Sequence, residues 1–236
     1  MGFQSFKRLG QCGNEHLIIK YDSQSGMVIR PKCLFQHPLF NLTSPIAPEM
    51  TIPEFKENLG LAEIPTALEK LICFQENISS FGNYADGFGL LIDDKSGLKS
   101  WSADESFLEK LLPFAQANSS GSFYTIWNDG IEKPLSEMPI VVFGDEGGVH
   151  VVAESILQLL HLITYDTEIS VDFEEVYFYK DKDNYKESED LVAYLEWLKD
   201  NYNLTQITDP EALVNAAQGK YKFRFENWFG LFVKIE

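Results

Sequence analysis

The fold is decided by LLPFAQANSSGSFYTIWNDG (residues 111–130) and, after a short polar passage, by MPIVVFGDEGGVHVVAESILQLLHLI (residues 138–163). In the first of these stretches, residues 123–127 are aromatic and β-branched and lie between two turn signals, which predicts a strand. In the second, residues 140–143 are apolar without interruption. Such a run is typical of a strand that is buried on both faces of a sheet.

A glycine-rich turn and a helix follow that apolar strand. Residues 144–148 (GDEGG) contain three glycines in five positions, which predicts a tight reversal, and residues 149–151 are a candidate returning strand. From about Ala153 the pattern becomes helical, with a single apolar stripe. Its members are Val152, Ile156, Leu159, Leu160 and Ile163.

The same region carries a resemblance to a known family. The segments that carry it are residues 112–115 (LPFA), 120–124 (SGSFY), 139–147 (PIVVFGDEG), 152–155 (VAES) and 156–160 (ILQLL). This arrangement resembles the SUKH superfamily, which includes fungal regulators of cell-wall glucan synthesis and many bacterial immunity proteins. The resemblance covers roughly residues 81–165, and residues 45–80 loosely.

The pattern and the resemblance together predict an α+β fold. We expect a mainly antiparallel, twisted sheet of about five or six strands with helices packed on one face, as in a SUKH-like domain. One domain over residues 1–236 is predicted, with its core at about 45–165. Residues 1–44 form an N-terminal hairpin extension and residues 166–236 a C-terminal helical extension in this prediction.

Local signals place several elements outside the central stretch. Thr51 and Glu54 have the spacing of a capping box, which predicts the start of a helix. Residues 98–101 are a candidate strand. Asp104 is predicted to cap a helix that runs through Leu112 and stops at Pro113.

The C-terminal segment is ambiguous. Residues 209–211 (DPE) predict the start of a helix that closes near Gly219. Beyond it, Tyr221, Phe223 and Phe225 alternate as in a strand, whereas the spacing of the later aromatic residues also suits a helix. The pattern does not distinguish a segment that packs on the core from one that forms a partner surface.

Charge and composition limit the classes of partner. The chain has 19 Lys and Arg against 36 Asp and Glu, a net charge of −17. It should therefore repel nucleic acid and anionic membrane surfaces and attract a basic partner. No apolar run reaches the roughly 18 residues of a membrane span, and residues 1–16 contain no apolar h-region, so a secretory signal is not expected. Three widely spaced cysteines suit a reduced compartment, so a cytoplasmic location is expected.

The sequence shows no recognisable catalytic constellation. The histidines at positions 16, 37, 150 and 161 lack metal-ligand spacing, and the glycines of residues 144–148 do not match a dinucleotide-binding pattern. Adjacent acids in turns are usually solvated, so their adjacency alone does not indicate catalysis. No catalytic residue, metal or cofactor is predicted.

A protein-binding role is the remaining interpretation. The partner-binding candidates are Asp93, Asp94, Trp127, Asp145 and Glu146, chosen as acidic turn residues and one aromatic anchor. The resemblance implies an immunity protein that neutralises a cognate bacterial toxin domain, possibly a nuclease, by stoichiometric binding. The alternatives are a regulatory scaffold of the glucan-synthesis-regulator type and an unrecognised hydrolase. A monomer and a homodimer are both compatible with the sequence.

Overall fold

The computed structural model describes residues 20–22, 26–28, 51–78, 83–181 and 183–234. The chain divides into two compact units, residues 1–48 and residues 49–236. In the first, strands β1 (Lys20–Asp22) and β2 (Gly26–Val28) pair antiparallel, as the predicted hairpin requires. The single domain over the whole chain stays a prediction.

The described part of the second unit contains seven α-helices and seven β-strands. The helices are α1 (Ile52–Leu59), α2 (Thr66–Gln75), α3 (Ser96–Lys99), α4 (Glu105–Leu108), α5 (Ile156–Leu162), α6 (Leu191–Tyr202) and α7 (Pro210–Phe229). The strands are β3 (Gly89–Leu90), β4 (Leu111–Gln116), β5 (Phe123–Trp127), β6 (Ile140–Phe143), β7 (Val149–Ala153), β8 (Ile169–Val171) and β9 (Val176–Phe178). The predicted α+β class is confirmed.

Five of these strands form one antiparallel sheet in the order β3-β4-β5-β6-β7. Strands that follow each other in sequence are neighbours in space, and helices α3 and α4 lie in the connection between β3 and β4. Phe123 of β5 lies opposite Phe143 of β6, and Phe143 lies opposite Val149 of β7. Strands β8 and β9 form a separate antiparallel hairpin. The prediction of a mainly antiparallel sheet of about five or six strands is confirmed.

The sheet is buried on both faces. Ile140 and Val142 of β6 join a large apolar core with α1, α2, α5 and α6, whereas Val141 and Phe143 join a second core with α7. All four side chains are fully buried, as the continuous apolar run predicted. The expectation that helices pack on only one face is wrong, because α7 covers the opposite face.

Helix α7 resolves the ambiguity of the C-terminal aromatic residues. It is a single helix of 20 residues, and Asp209 caps it by accepting a hydrogen bond from the backbone N–H of Ala212 at 2.9 Å. Tyr221 and Phe225 are one turn apart and buried, whereas Phe223 is 80% exposed. The helix continues through Gly219, so its predicted end there is wrong. A glycine costs only about 1 kcal/mol in a helix, which the burial of the aromatic face outweighs.

The capping box of α1 is confirmed. The Thr51 hydroxyl oxygen accepts from the backbone N–H of Glu54, and the Glu54 carboxylate accepts from the backbone N–H of Thr51. Residues 98–101 are wrongly predicted as a strand. They form the last part of the short helix α3 and the turn that follows it. Leu98 is fully buried in the second core.

Pro113 does not stop a helix. Asp104 caps α4 as predicted, but α4 ends at Leu108 and the chain then becomes strand β4. Pro113 lies within that strand, beside a shift of register between Pro113 and Ala115. A bulge is one of the few sheet positions that tolerates the missing N–H of proline.

Replacing Phe225 by Ala tests the packing of α7. The Phe225 ring is 2% exposed and contacts the Trp127 ring edge-on, with a centroid separation of 5.0 Å. We expect the free energy of unfolding to fall by about 3 kcal/mol or more, because a buried aromatic ring leaves a cavity. Phe223→Ala on the same helix is the matched control and should change it by about 0.5 kcal/mol or less. Equal losses in urea denaturation would contradict the assigned helix face.

Candidate partner-binding site

The glycine-rich turn between β6 and β7 packs against the turn between β8 and β9. Gly147 and Gly148 have φ angles of +106° and +79°, in the region that favours glycine. A Cβ atom at Gly148 would overlap the carbonyl oxygen of Asp172, and one at Gly147 would overlap the ring of Phe173. The Nε2 atom of His150 lies 2.7 Å from the same Asp172 carbonyl oxygen. The two turns therefore form one continuous surface.

Asp145 and Glu146 lie exposed on this surface, as the sequence predicted. The Asp145 carboxylate accepts hydrogen bonds from the hydroxyls of Ser122 at 2.7 Å and Ser120 at 2.9 Å. These bonds favour the charged form and lower the pKa of Asp145, with Ser122 as the larger cause. The aspartate is thus both fixed in position and kept ionised.

The β8–β9 turn adds three exposed acids and an exposed ring. The Asp172 carboxylate accepts from the backbone N–H groups of Glu175 and Glu174, each at 2.8 Å, which lowers the pKa of Asp172. Phe173, between these acids, is 72% exposed. We define the acidic face as Asp145, Glu146, Asp172, Glu174 and Glu175, with Phe173 between its two turns.

Buried polar contacts fix the hairpin to the sheet. The Asn118 side-chain amide donates to the carbonyl oxygen of Ile169 at 3.1 Å and to the Ser122 hydroxyl at 3.0 Å. The neighbouring backbone N–H of Ser119 donates to the Glu168 carboxylate at 2.8 Å. The β4–β5 turn therefore holds the first strand of the hairpin, and the acidic face is preorganised.

Asp166 anchors the open end of the hairpin, opposite its turn. It is completely buried, and its carboxylate accepts from the backbone N–H of Asp86 at 2.9 Å and from the Ser188 hydroxyl at 2.6 Å. It also accepts from the backbone N–H of Ser188 and from the hydroxyl of Tyr185. A buried carboxylate with this many donors ties three separate segments together.

Asp93 and Asp94 are not part of the acidic face. They close a local turn, in which their carboxylates accept from the backbone N–H groups of Lys95 and Ser96 respectively. Strand β3 runs from the β4–β5 turn toward the start of β4. The Lys95 ammonium accordingly donates to the carbonyl oxygen of Leu108, at 2.6 Å. The Asp93–Asp94 pair and the Asp145–Glu146 pair therefore lie beyond different ends of the sheet.

Trp127 is not available to a partner. It is 1% exposed and packs between Phe225 and Trp228 of α7, with the Arg224 guanidinium 5.6 Å from its ring centroid. Its selection as an aromatic anchor is wrong, because its ring fills the second core.

The sequence reasoning missed Phe173 as an exposed aromatic residue. Phe173 lies in the turn between strands β8 and β9. The signal available in the sequence is DFEE at residues 172–175, in which one apolar ring stands among three acids. Charged neighbours on both sides make a ring less readily buried than one in an apolar run.

Comparison with protein-family models, with curated proteins and with solved structures gave no match to this chain. Across the described residues, no helix is both long and apolar enough to cross a membrane. Those residues also contain no group of three or more His, Cys, Asp or Glu side chains that could hold a metal ion.

Replacing Gly148 by Ala tests the contact between the two turns. Gly130 has the same φ of +79° but no atom within 4 Å of an added Cβ, so Gly130→Ala measures backbone strain alone. We expect a loss of about 1 kcal/mol of unfolding free energy for Gly130→Ala and about 3 kcal/mol or more for Gly148→Ala. Equal losses in chemical denaturation would mean that the turns do not touch.

Replacing Ser122 by Ala should raise the pKa of Asp145 toward its ordinary value of 3.8. Ser120→Ala should raise it less, because Ser122 is the larger cause. Since the folded-state pKa is depressed, this carboxylate stabilises the fold above the unfolded pKa of about 4, and the contribution is lost as pH falls through the folded pKa. Titration of the Asp145 carboxyl by NMR measures both variants, and an unchanged pKa in Ser122→Ala would contradict the assignment.

Proposed function

We propose that this protein is a cytoplasmic immunity protein that binds a basic toxin domain through the acidic face and neutralises it stoichiometrically. The single observation that carries the proposal is an exposed aromatic ring, Phe173, held among five exposed carboxylates on two turns that pack together. A nuclease is a suitable target, since its nucleic-acid groove must be basic.

The negative charge of the segment that contains the β8–β9 hairpin supports a basic partner. Residues 166–190 contain ten acidic side chains and three lysines, a net charge of −7 out of −17 for the chain. Asp145 and Glu146 extend this negative charge to the β6–β7 turn. A concentrated field of one sign accelerates association with an oppositely charged surface.

Phe173 supplies a hydrophobic contact, which charge alone does not provide. Exposed ion pairs contribute little affinity because both partners remain hydrated and screened. An aromatic ring that enters a desolvated pocket can dominate binding energy, and a rim of polar groups excludes water around it. The acidic face therefore combines steering with a candidate anchor.

The rigidity of the surface also favours a binding role. The two turns are fixed by glycine-dependent packing, and the hairpin is fixed by Asn118 and Asp166. A surface that is ordered before binding loses little conformational entropy on association. The resemblance to the SUKH superfamily agrees with this interpretation, because immunity proteins of that kind act by binding.

The test begins with capture of the partner by the full chain, first at low salt and then at about 0.5 M salt, where screening is strong. We expect one basic partner in a stoichiometric complex, whose toxicity in co-expressing cells is suppressed. Glu174→Gln/Glu175→Gln should slow association at low salt by about tenfold. Phe173→Ala should instead accelerate dissociation by about thirtyfold, as expected for an anchor worth about 2 kcal/mol.

Matched controls lie away from the acidic face. Glu196→Gln/Asp200→Asn removes two exposed charges from α6, and Phe223→Ala removes an exposed ring from α7. Both should bind like the unchanged protein. A set of neutral or acidic partners bound independently of salt would sink the proposal and favour a regulatory scaffold. Suppression of toxicity without a complex would favour a hydrolase.

A further inference from the structure

A pocket opens at the end of the β8–β9 hairpin that is opposite its turn. Its volume is about 430 Å³, and its walls come from three separate segments of the chain. The side chains that matter for recognition are Asn83, Asp86, Tyr179, Tyr185, Glu187 and Glu189. The buried carboxylate of Asp166 lies behind the wall and fixes it, because the backbone N–H of Asp86 and the Tyr185 hydroxyl both donate to it.

Among the described residues that line the pocket, carboxylates outnumber ammonium groups. Four carboxylates line it, against the ammonium groups of Lys180 and Lys186. Burial, followed by the nearby Glu168 and Asp166 carboxylates, raises the pKa of Asp86. A second cation in the pocket would relieve this repulsion.

The aromatic wall already binds a cation of this chain. The Lys180 ammonium lies 3.6 Å from the centroid of the Tyr185 ring and 4.9 Å from that of Tyr165, and donates to the Tyr165 carbonyl oxygen at 2.7 Å. Tyr179, at the rim, is 74% exposed and has a ring available for stacking. The arrangement of rings and carboxylates therefore suits cations in general.

We infer that this pocket receives the guanidinium group of an arginine side chain from the protein partner. The inference rests on the proposed function and names the partner's anchoring group. A planar guanidinium can stack flat on a tyrosine ring while several N–H groups in its plane reach carboxylates such as Asp86 and Glu187, whereas an ammonium is a compact point charge without that fixed fork of donors. Tyr177, 44% exposed, lies on β9 between the pocket and the acidic face, so one partner surface can cover both sites.

The experiment is an NMR titration of the full chain with the tripeptide acetyl-Gly-Arg-Gly-amide. Its matched probe carries citrulline, which has the same shape as arginine but no charge, and a third probe carries lysine. We expect saturable shifts confined to the amides around Asp86, Tyr179 and Tyr185, strongest for arginine and absent for citrulline. Equal shifts with citrulline, or shifts centred on the acidic face, would overturn the inference.

Two variants move the affinity in opposite directions. Asp86→Asn should weaken binding of the arginine peptide by about fivefold, the range of a solvent-accessible ion pair, while Asp200→Asn on α6 should leave it unchanged. Lys180→Met removes the competing internal cation and should tighten binding by a similar factor, a gain that misfolding cannot imitate. Identical behaviour of Asp86→Asn and Asp200→Asn would overturn the inference.

The same variants separate this inference from the proposed function. If a captured toxin associates about tenfold more slowly with Glu174→Gln/Glu175→Gln but binds Asp86→Asn normally, the immunity role stands and the arginine anchor fails. If the arginine peptide binds the pocket but no toxin is neutralised, the cation site stands and the immunity role fails.

Discussion

Burial of the central sheet on both faces is the constraint on which the rest of the molecule depends. Alternate side chains of β6 enter different cores, so every position of the strand is committed to packing. The same holds for Trp127 on β5, which sequence reasoning had assigned to a partner. A sheet covered in this way has only its edges and turns left for recognition. The acidic face accordingly lies on turns, and the pocket lies at the end of a peripheral hairpin.

Peripheral turns can bind specifically only if something holds them still. In this protein the side chains that fix the turns are polar and mostly buried. Asn118 joins the β4–β5 turn to β8, and Asp166 joins the far end of the hairpin to residues 86 and 188. Each of these side chains would be costly to bury without partners, so the contacts are formed together or not at all. Gly148 completes the arrangement by allowing two backbones to meet where any side chain would separate them.

Local signals predicted the elements whose cause is local. The Thr51 capping box, the apolar strand β6 and the GDEGG reversal all depend on residues within a few positions of one another. The failures have tertiary causes. Helix α7 continues through Gly219 because a distant sheet face buries its aromatic residues, and Pro113 is tolerated because of a bulge in β4. For the same reason Asp145 and Glu146 could be found from turn chemistry, whereas the pocket, built from three segments, could not.

The acidic face and the pocket differ in the direction in which the pKa values of their carboxylates are shifted. The difference favours a different role for each in the proposed complex. Hydrogen bonds from Ser122 and from backbone N–H groups lower the pKa values of Asp145 and Asp172, so their negative field persists well below neutral pH without any partner. At Asp86, by contrast, burial and neighbouring carboxylates raise the pKa, so its charge is least favourable when the pocket holds no second cation. A carboxylate that already accepts several hydrogen bonds is stabilised little by one more ion pair, whereas a carboxylate that is destabilised by burial and by like charges is stabilised more. In the proposed complex, steering therefore belongs to the acidic face, and selection of a particular cation belongs to the pocket.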